Sequence, residues 1–146
     1  MNHEKPIGTF VTGVIGDDVH NIGIKVLEHA LRHDGFNVVS LGIRVSQEEF
    51  IDAAVETKAD GILVSSLSGH ARALAAGFRE KCRESGLGNI LLIIGGHLVI
   101  GQTRQEDIEI TFKEMGFDRV YPPSTSVSRV IEDLKGDMEK MKGGRQ

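Results

Sequence analysis

A doubly wound α/β sheet is the architecture that this chain of 146 residues predicts. Three observations carry it. Short apolar runs alternate along the chain with segments whose apolar residues fall at helical spacing, the pattern of strands alternating with helices. The run GILVSS at 61–66 is apolar on consecutive positions, as a strand covered on both faces is. The hydrophobic content of 40% suffices to bury one real core at this length, so five βα units share a single domain, 1–146. Units of this size suit a flavodoxin-like (Rossmann-like) five-stranded parallel sheet of strand order 2-1-3-4-5.

Each element has its own signal. FVTGVI at 10–15 reads as the first strand, and Ile22, Val26, Leu27, Ala30 and Leu31 then mark one helix face, stopped by Gly35. NVVSL at 37–41 is the second strand. Ser46 followed by Glu49 forms a capping box ahead of a stripe of Phe50, Ile51, Ala54 and Val55. GILVSS is the third strand, followed by one helix through Leu74, Phe78 and Cys82. ILLIIGG at 90–96 is the fourth strand. Thr103 and Glu106 form a second capping box before the stripe Ile108, Phe112 and Met115. RVYPP closes a short fifth strand, because Pro122 and Pro123 cannot continue a ladder. The last helix carries Val127, Val130, Ile131, Leu134 and Met138, with a frayed tail expected from about 137.

Composition narrows the function. A net charge of -4 provides no broad basic field, which argues against nucleic acid and against an anionic membrane surface. The start of the chain has no sustained apolar stretch of signal-peptide kind, and no run of about 18 apolar residues occurs, so a soluble, cytoplasmic protein is expected. The single cysteine, Cys82, falls on a helical apolar stripe and reads as a buried thiol. Small molecules and proteins remain as partners.

In a sheet of this kind ligands bind beyond the carboxyl ends of the strands, at the switch point between strands 1 and 3. Three loops meet there. After strand 1 comes Asp17-Asp18-Val19-His20-Asn21-Ile22-Gly23, after strand 3 Ser65-Ser66-Leu67-Ser68-Gly69, and after strand 4 Gly95-Gly96-His97-Leu98-Val99-Ile100-Gly101. All are small or glycine-rich, which lets a ligand approach the backbone at a cost in chain entropy. Neither G-x-G-x-x-G nor a Walker sequence is present, so a standard phosphate cradle is unsupported. Asp18 and His20 are two apart, and a carboxylate bonded to one imidazole nitrogen fixes the tautomer and makes the other a better metal donor. The same residues also read as a helix cap beside a solvated imidazole. Both readings stand on spacing alone.

The order Asp18-x-His20-x-x-Gly23, then Ser65-x-Leu67, then Gly95-Gly96 resembles the motif of cobalamin-dependent proteins that hold the cofactor base-off with a histidine ligand. With GVIGDDVHNIG, ETKADGILVSSL, FREKCRESGL and MGFDRVYPPST, the chain resembles the small cobalamin-binding subunit of glutamate mutase, the methylaspartate mutase S chain, from about residue 8 to 135. The resemblance implies that His20 is the metal ligand, replacing the cofactor's own base below cobalt, and that Asp18 bonds it from behind. The displaced nucleotide tail would then pass Gly23, bond to Ser65, meet Leu67 as an apolar wall, and be covered by Gly95 to Gly101, with Tyr121–Thr125 near enough to contribute. The implied cofactor is adenosylcobalamin. The implied reaction interconverts L-glutamate and threo-3-methylaspartate by radical chemistry in a complex, two of each chain, with a larger barrel-type catalytic subunit that binds the glutamate. No catalytic residue is expected on this chain.

Two departures bear on partner and substrate. Where relatives tend to have an aromatic, then Gly, a variable residue, Gly and Glu, this chain has Ser68-Gly69-His70-Ala71-Arg72, and 101–109 lacks an expected Asn-Trp. A B12-binding subunit of a different radical mutase therefore remains an alternative, as does a stand-alone corrinoid carrier for methyl transfer, although the helical domain such carriers add is not expected ahead of residue 8. A phosphoreceiver domain of the same fold would need an aspartate ending strand 3 and a lysine ending strand 5, where Ser65-Ser66-Leu67 and Tyr121-Pro122-Pro123 stand. Of the other histidines, His97 is expected to pack on the cofactor, His70 to face cofactor, partner or solvent, and His29 and His33 to lie on a solvated helix face.

Overall fold

The computed structural model describes residues 5–16, 22–66, 70–96, 98 and 104–144. In chain order the elements are β1 (Thr9–Val14), α1 (Ile22–His33), β2 (Asn37–Ser40), α2 (Gln47–Thr57), β3 (Gly61–Ser66), α3 (Ala71–Ala75), α4 (Phe78–Glu84), β4 (Leu91–Gly96), α5 (Gln105–Glu114), β5 (Arg119–Tyr121) and α6 (Val127–Gly144). The five strands form one sheet in the order β2-β1-β3-β4-β5, and every pairing is parallel. The expected architecture and strand order are those observed.

Strand alternation sorts the core into two layers. Phe10 and Val14 of β1, Leu63 of β3 and Ile93 of β4 pack with Ile24 and Leu31 of α1 and Val130, Ile131 and Leu134 of α6. Val11, Ile62, Val64, Leu92 and Ile94 turn the other way, onto Phe50 and Ala54 of α2, Phe78 and Cys82 of α4, and Phe112 of α5. Phe78 centres that second layer, with ring centroids 5.8 Å from Phe50 and 6.2 Å from Phe117. Cys82 is fully buried, as its stripe requires, and desolvation pushes its thiol pKa up.

The structure departs from the sequence reading at several elements. The single third helix is two, because Ala76 is extended and Gly77 takes φ +76°, a left-handed conformation that costs glycine little. Gln47, at the start of α2, fills the break: its Nε2 donates to the carbonyls of Leu74 at 2.6 Å and Ala76 at 3.0 Å. Val55 is not in the α2 stripe. It is 48% exposed, and Gln47 occupies the buried face in its place. On α1 the buried positions are Ile24, Glu28 and Leu31, while Val26 is 54% exposed. Glu28 accepts a hydrogen bond from the hydroxyl of buried Thr12 and pairs with Lys25 at 3.6 Å. The capping box at Ser46 and Glu49 is present in both directions. Of the second, Thr103 lies outside the described residues, and the N-cap of α5 is Arg104, without a side-chain cap bond. Helix α6 continues to Gly144 through the stretch expected to fray, because Met138 is buried and Met141 packs against the core. Among the described residues no helix is long and apolar enough to cross a membrane.

Candidate functional site

At the carboxyl edge the parallel register aligns one row of four residues. Val14 pairs with Ser65, Ser65 with Gly95, and Gly95 with Tyr121. Two central members of that row are small, so the sheet surface dips between α1 and α6. The result is a groove of about 360 Å³. Its floor is Leu63 and Ser65 of β3 with Ile93 and Gly95 of β4, residues two apart that share a face. Gly23, Ile24 and Leu27 of α1 form one wall, and Val127 and Val130 of α6 with Tyr121 and Pro122 form the other.

The segment after β5 is shaped for this place. Thr125 donates from both its backbone N–H, at 3.0 Å, and its hydroxyl, at 2.8 Å, to the carbonyl of Pro122, which closes a tight turn against the groove. The Ser126 hydroxyl accepts from the Arg129 N–H at 3.2 Å and so caps the start of α6. Tyr121 ends the strand with its hydroxyl donating to Asp133 Oδ2 at 2.7 Å. Burial, then the bond to Asp133, pushes its phenol above the ordinary tyrosine range, so Tyr121 enters the groove as a neutral ring.

Four predicted site residues, Gly23, Ser65, Gly95 and Gly96, meet around one cavity. A Cβ added to Gly23 would touch nothing within 4 Å, and one added to Gly95 would come no nearer than 3.5 Å, to Tyr121 Cβ. The protein's own packing therefore demands no glycine at either position. The space they leave is open to a guest. Ser66 and Leu98 are placed elsewhere. Both are buried in the opposite layer, Ser66 fully, with an Oγ that has no hydrogen-bond partner. His70 is exposed just ahead of α3, and Arg72 is exposed within it. His29 and His33 are exposed on α1, as expected for a solvated face. Asp17, Asp18, Val19, His20, Asn21, Leu67, His97, Val99, Ile100 and Gly101 lie outside the described residues. The ends that flank the first of these stretches, Gly16 and Ile22, are described, and Gly23 begins the groove wall one residue later.

The apolar walls were not among the predicted site residues. Ile24, Leu27, Val127 and Val130 sit on helix stripes, and a stripe residue that lines a groove has the same spacing as one that fills a core. Tyr121 and Pro122 were legible only as neighbours of the site. Among the described residues the chemistry on offer is a slot for a flat, largely apolar arm, with hydroxyls at Ser65 and Thr125 and no lysine or arginine to hold a phosphate.

Comparison with known proteins agrees with this geometry. Residues 8–120 match the B12 binding domain family. The glutamate mutase sigma subunit of Clostridium tetanomorphum is 54% identical over 127 residues, covering 87% of this chain and 93% of that protein. The glutamate mutase sigma subunit of Carboxydothermus hydrogenoformans is 52% identical over 131 residues, covering 90% and 96%. Among solved structures, a novel cobalamin-binding protein from Desulfitobacterium hafniense DCB-2 superposes with a TM-score of 0.72 at 22% identity, over 88% of this chain and 57% of that one. This chain thus spans little more than half of that protein, and the likeness is one of fold. At such identity across nearly the whole of both sequences, the chain belongs to the glutamate mutase sigma-subunit family and is built on a B12 binding domain.

Proposed function

We propose that this chain is the cobalamin-binding component of an adenosylcobalamin-dependent mutase that interconverts L-glutamate and threo-3-methylaspartate. The observation that carries the reading is the groove whose floor is lowered at Ser65 and Gly95 and whose wall is cut away at Gly23, with packing demanding neither glycine. A benzimidazole nucleotide arm, flat and mostly apolar with a few polar atoms, fits such a slot in size and chemistry. The bound cofactor would supply a cobalt–carbon bond that breaks homolytically, chemistry that no side chain provides. The residues of this chain bind and orient. Gly23, Leu27 and Val130 enclose the arm, Ser65 offers it a hydrogen bond, and Tyr121 bounds the slot on its outer side. His20 is the cobalt ligand and Asp18 fixes its tautomer, with Asn21, Gly96, His97 and Val99 to Gly101 covering the rest of the cofactor.

Activity belongs to a complex with a larger, barrel-type catalytic subunit that carries the glutamate pocket, two of each chain, working in the cytoplasm, where a lone unbridged thiol such as Cys82 is ordinary. A mutase acting on another substrate is the second reading. It is favoured by one feature, the exposed cation Arg72 on the rim helix α3.

The deciding experiment is a titration of the chain with cobalamin, read by electron paramagnetic resonance of the cob(II)alamin form. Splitting from a protein histidine nitrogen, altered by isotopic labelling of histidine and lost in His20→Gly together with tight binding, is expected. Splitting from the cofactor's own base, or affinity indifferent to His20→Gly, would overturn the assignment. Turnover of glutamate by the isolated chain with cofactor would overturn the need for a partner.

A further inference from the structure

The outer wall of the groove is held from behind. Tyr121 reaches across from β5 to α6, where its hydroxyl donates to Asp133 Oδ2 at 2.7 Å. Arg119, two residues earlier on the strand, donates to both carboxylate oxygens of Asp137, at 2.7 and 2.9 Å, and its Nη1 stands 3.4 Å from the same Asp133 oxygen. Asp133 and Asp137 are four apart and so share one face of α6. The bidentate pair has fixed geometry as well as attraction, and the Asp137 side chain is only 14% exposed. Arg119 thereby fixes α6 against β5 and holds Asp133 beneath the phenol.

This arrangement commits the only proton of Tyr121 to Asp133. Toward the groove the residue presents its ring and has no proton to give. Of the other groups on that side, Val127, Val130, Pro122 and Pro123 are apolar and exert no directional hold on it, and the Thr125 hydroxyl gives its proton to the Pro122 carbonyl at 2.8 Å. We infer that Asp133, steadied by Arg119, is a positioning residue that locks the Tyr121 ring and the start of α6 at the width the cofactor's nucleotide arm requires. The inference rests on the cobalamin reading and adds to it a group that touches no cofactor.

The test compares two ligands on the full chain: cobalamin, and cobinamide, the corrinoid that lacks the nucleotide arm. Asp133→Ala and Tyr121→Phe are each expected to weaken cobalamin binding by about 10-fold, the loss of one charge-assisted hydrogen bond, while cobinamide affinity stays at the wild-type value. Because both act through one contact, the double variant is expected to be no weaker than the worse single. Tyr121→Phe keeps the ring and its packing, so a folded protein is available even if Asp133→Ala is unstable. A lower Tm with unchanged cobalamin affinity, equal losses on the two corrinoids, or additive effects would each overturn the inference. Failure of the wild-type chain to bind cobalamin would sink the cobalamin reading itself. Wild-type binding with indifferent variants sinks only the role of Asp133.

Discussion

Arg79 is 7% exposed, and all three of its guanidinium nitrogens are engaged. Nε donates to Gly116 O at 2.9 Å, Nη1 to Ile90 O at 2.8 Å and Gly88 O at 3.2 Å, and Nη2 to Asp118 Oδ2 at 2.7 Å. Asp118 also accepts from the Leu92 N–H at 2.8 Å. One side chain of α4 thus ties together the approach to β4 and the turn before β5, at the edge of the sheet opposite the groove. Removing it strands three carbonyls and half of a partly shielded ion pair, so Arg79→Met is expected to cost about 2–4 kcal/mol in urea unfolding while leaving cobalamin affinity unchanged. A loss under 1 kcal/mol would show that water satisfies those carbonyls. Nothing in FREKC marks Arg79 as buried, since its role depends on carbonyls that only the tertiary fold brings near. Gly23, Ser65 and Gly95 were legible for the opposite reason. Small residues at predicted strand ends and helix starts signal a ligand edge before any contact is known.

At the scale of elements, the sequence shows where helices bury a face more reliably than where they stop. Leu74, Phe78 and Cys82 keep a four-residue spacing straight through the break between α3 and α4, because both pieces lie on the same layer and their apolar residues face the same core. The break shows instead at Gly77 and in a partner far along the chain. Gln47 is at the first position of α2, and its amide supplies the donors that the C-terminal end of α3 lacks. Gln47→Leu keeps the buried volume and removes those donors, so a loss of about 1–3 kcal/mol is expected, with faster amide exchange confined first to α3. Stability equal to wild type would mean that the unpartnered Oε1 of Gln47 offsets what its Nε2 contributes. The capping box at Ser46 was fully legible, since both of its bonds are local in sequence. The cap at Thr103 looked the same on paper. There α5 starts at Gln105, after an N-cap at Arg104 that makes no side-chain cap bond, with Glu106 and Asp107 in its first turn, acids that suit the helix dipole.

For the molecule as a whole, the alternation of runs and stripes was enough to read the order β2-β1-β3-β4-β5, because parallel crossovers of this length leave few ways to cover both faces of a sheet. The same order puts the site where α1 and α6 flank the ends of β3 and β4, and there folding and binding make opposite demands on one residue. Gly23 is the second residue of α1, in helical backbone, where glycine is less stable than alanine by up to about 1 kcal/mol. Its missing side chain faces the groove, and a Cβ there would meet no protein atom within 4 Å. Gly23→Ala is therefore expected to raise stability in urea by up to about 1 kcal/mol while lowering cobalamin affinity, with cobinamide affinity unchanged because cobinamide has no arm to pass the helix. Denaturant unfolding and two corrinoid titrations on one preparation measure both signs. A variant that gains stability and keeps full affinity for cobalamin would show that the arm does not run along α1, and would move the binding path toward Tyr121 and α6.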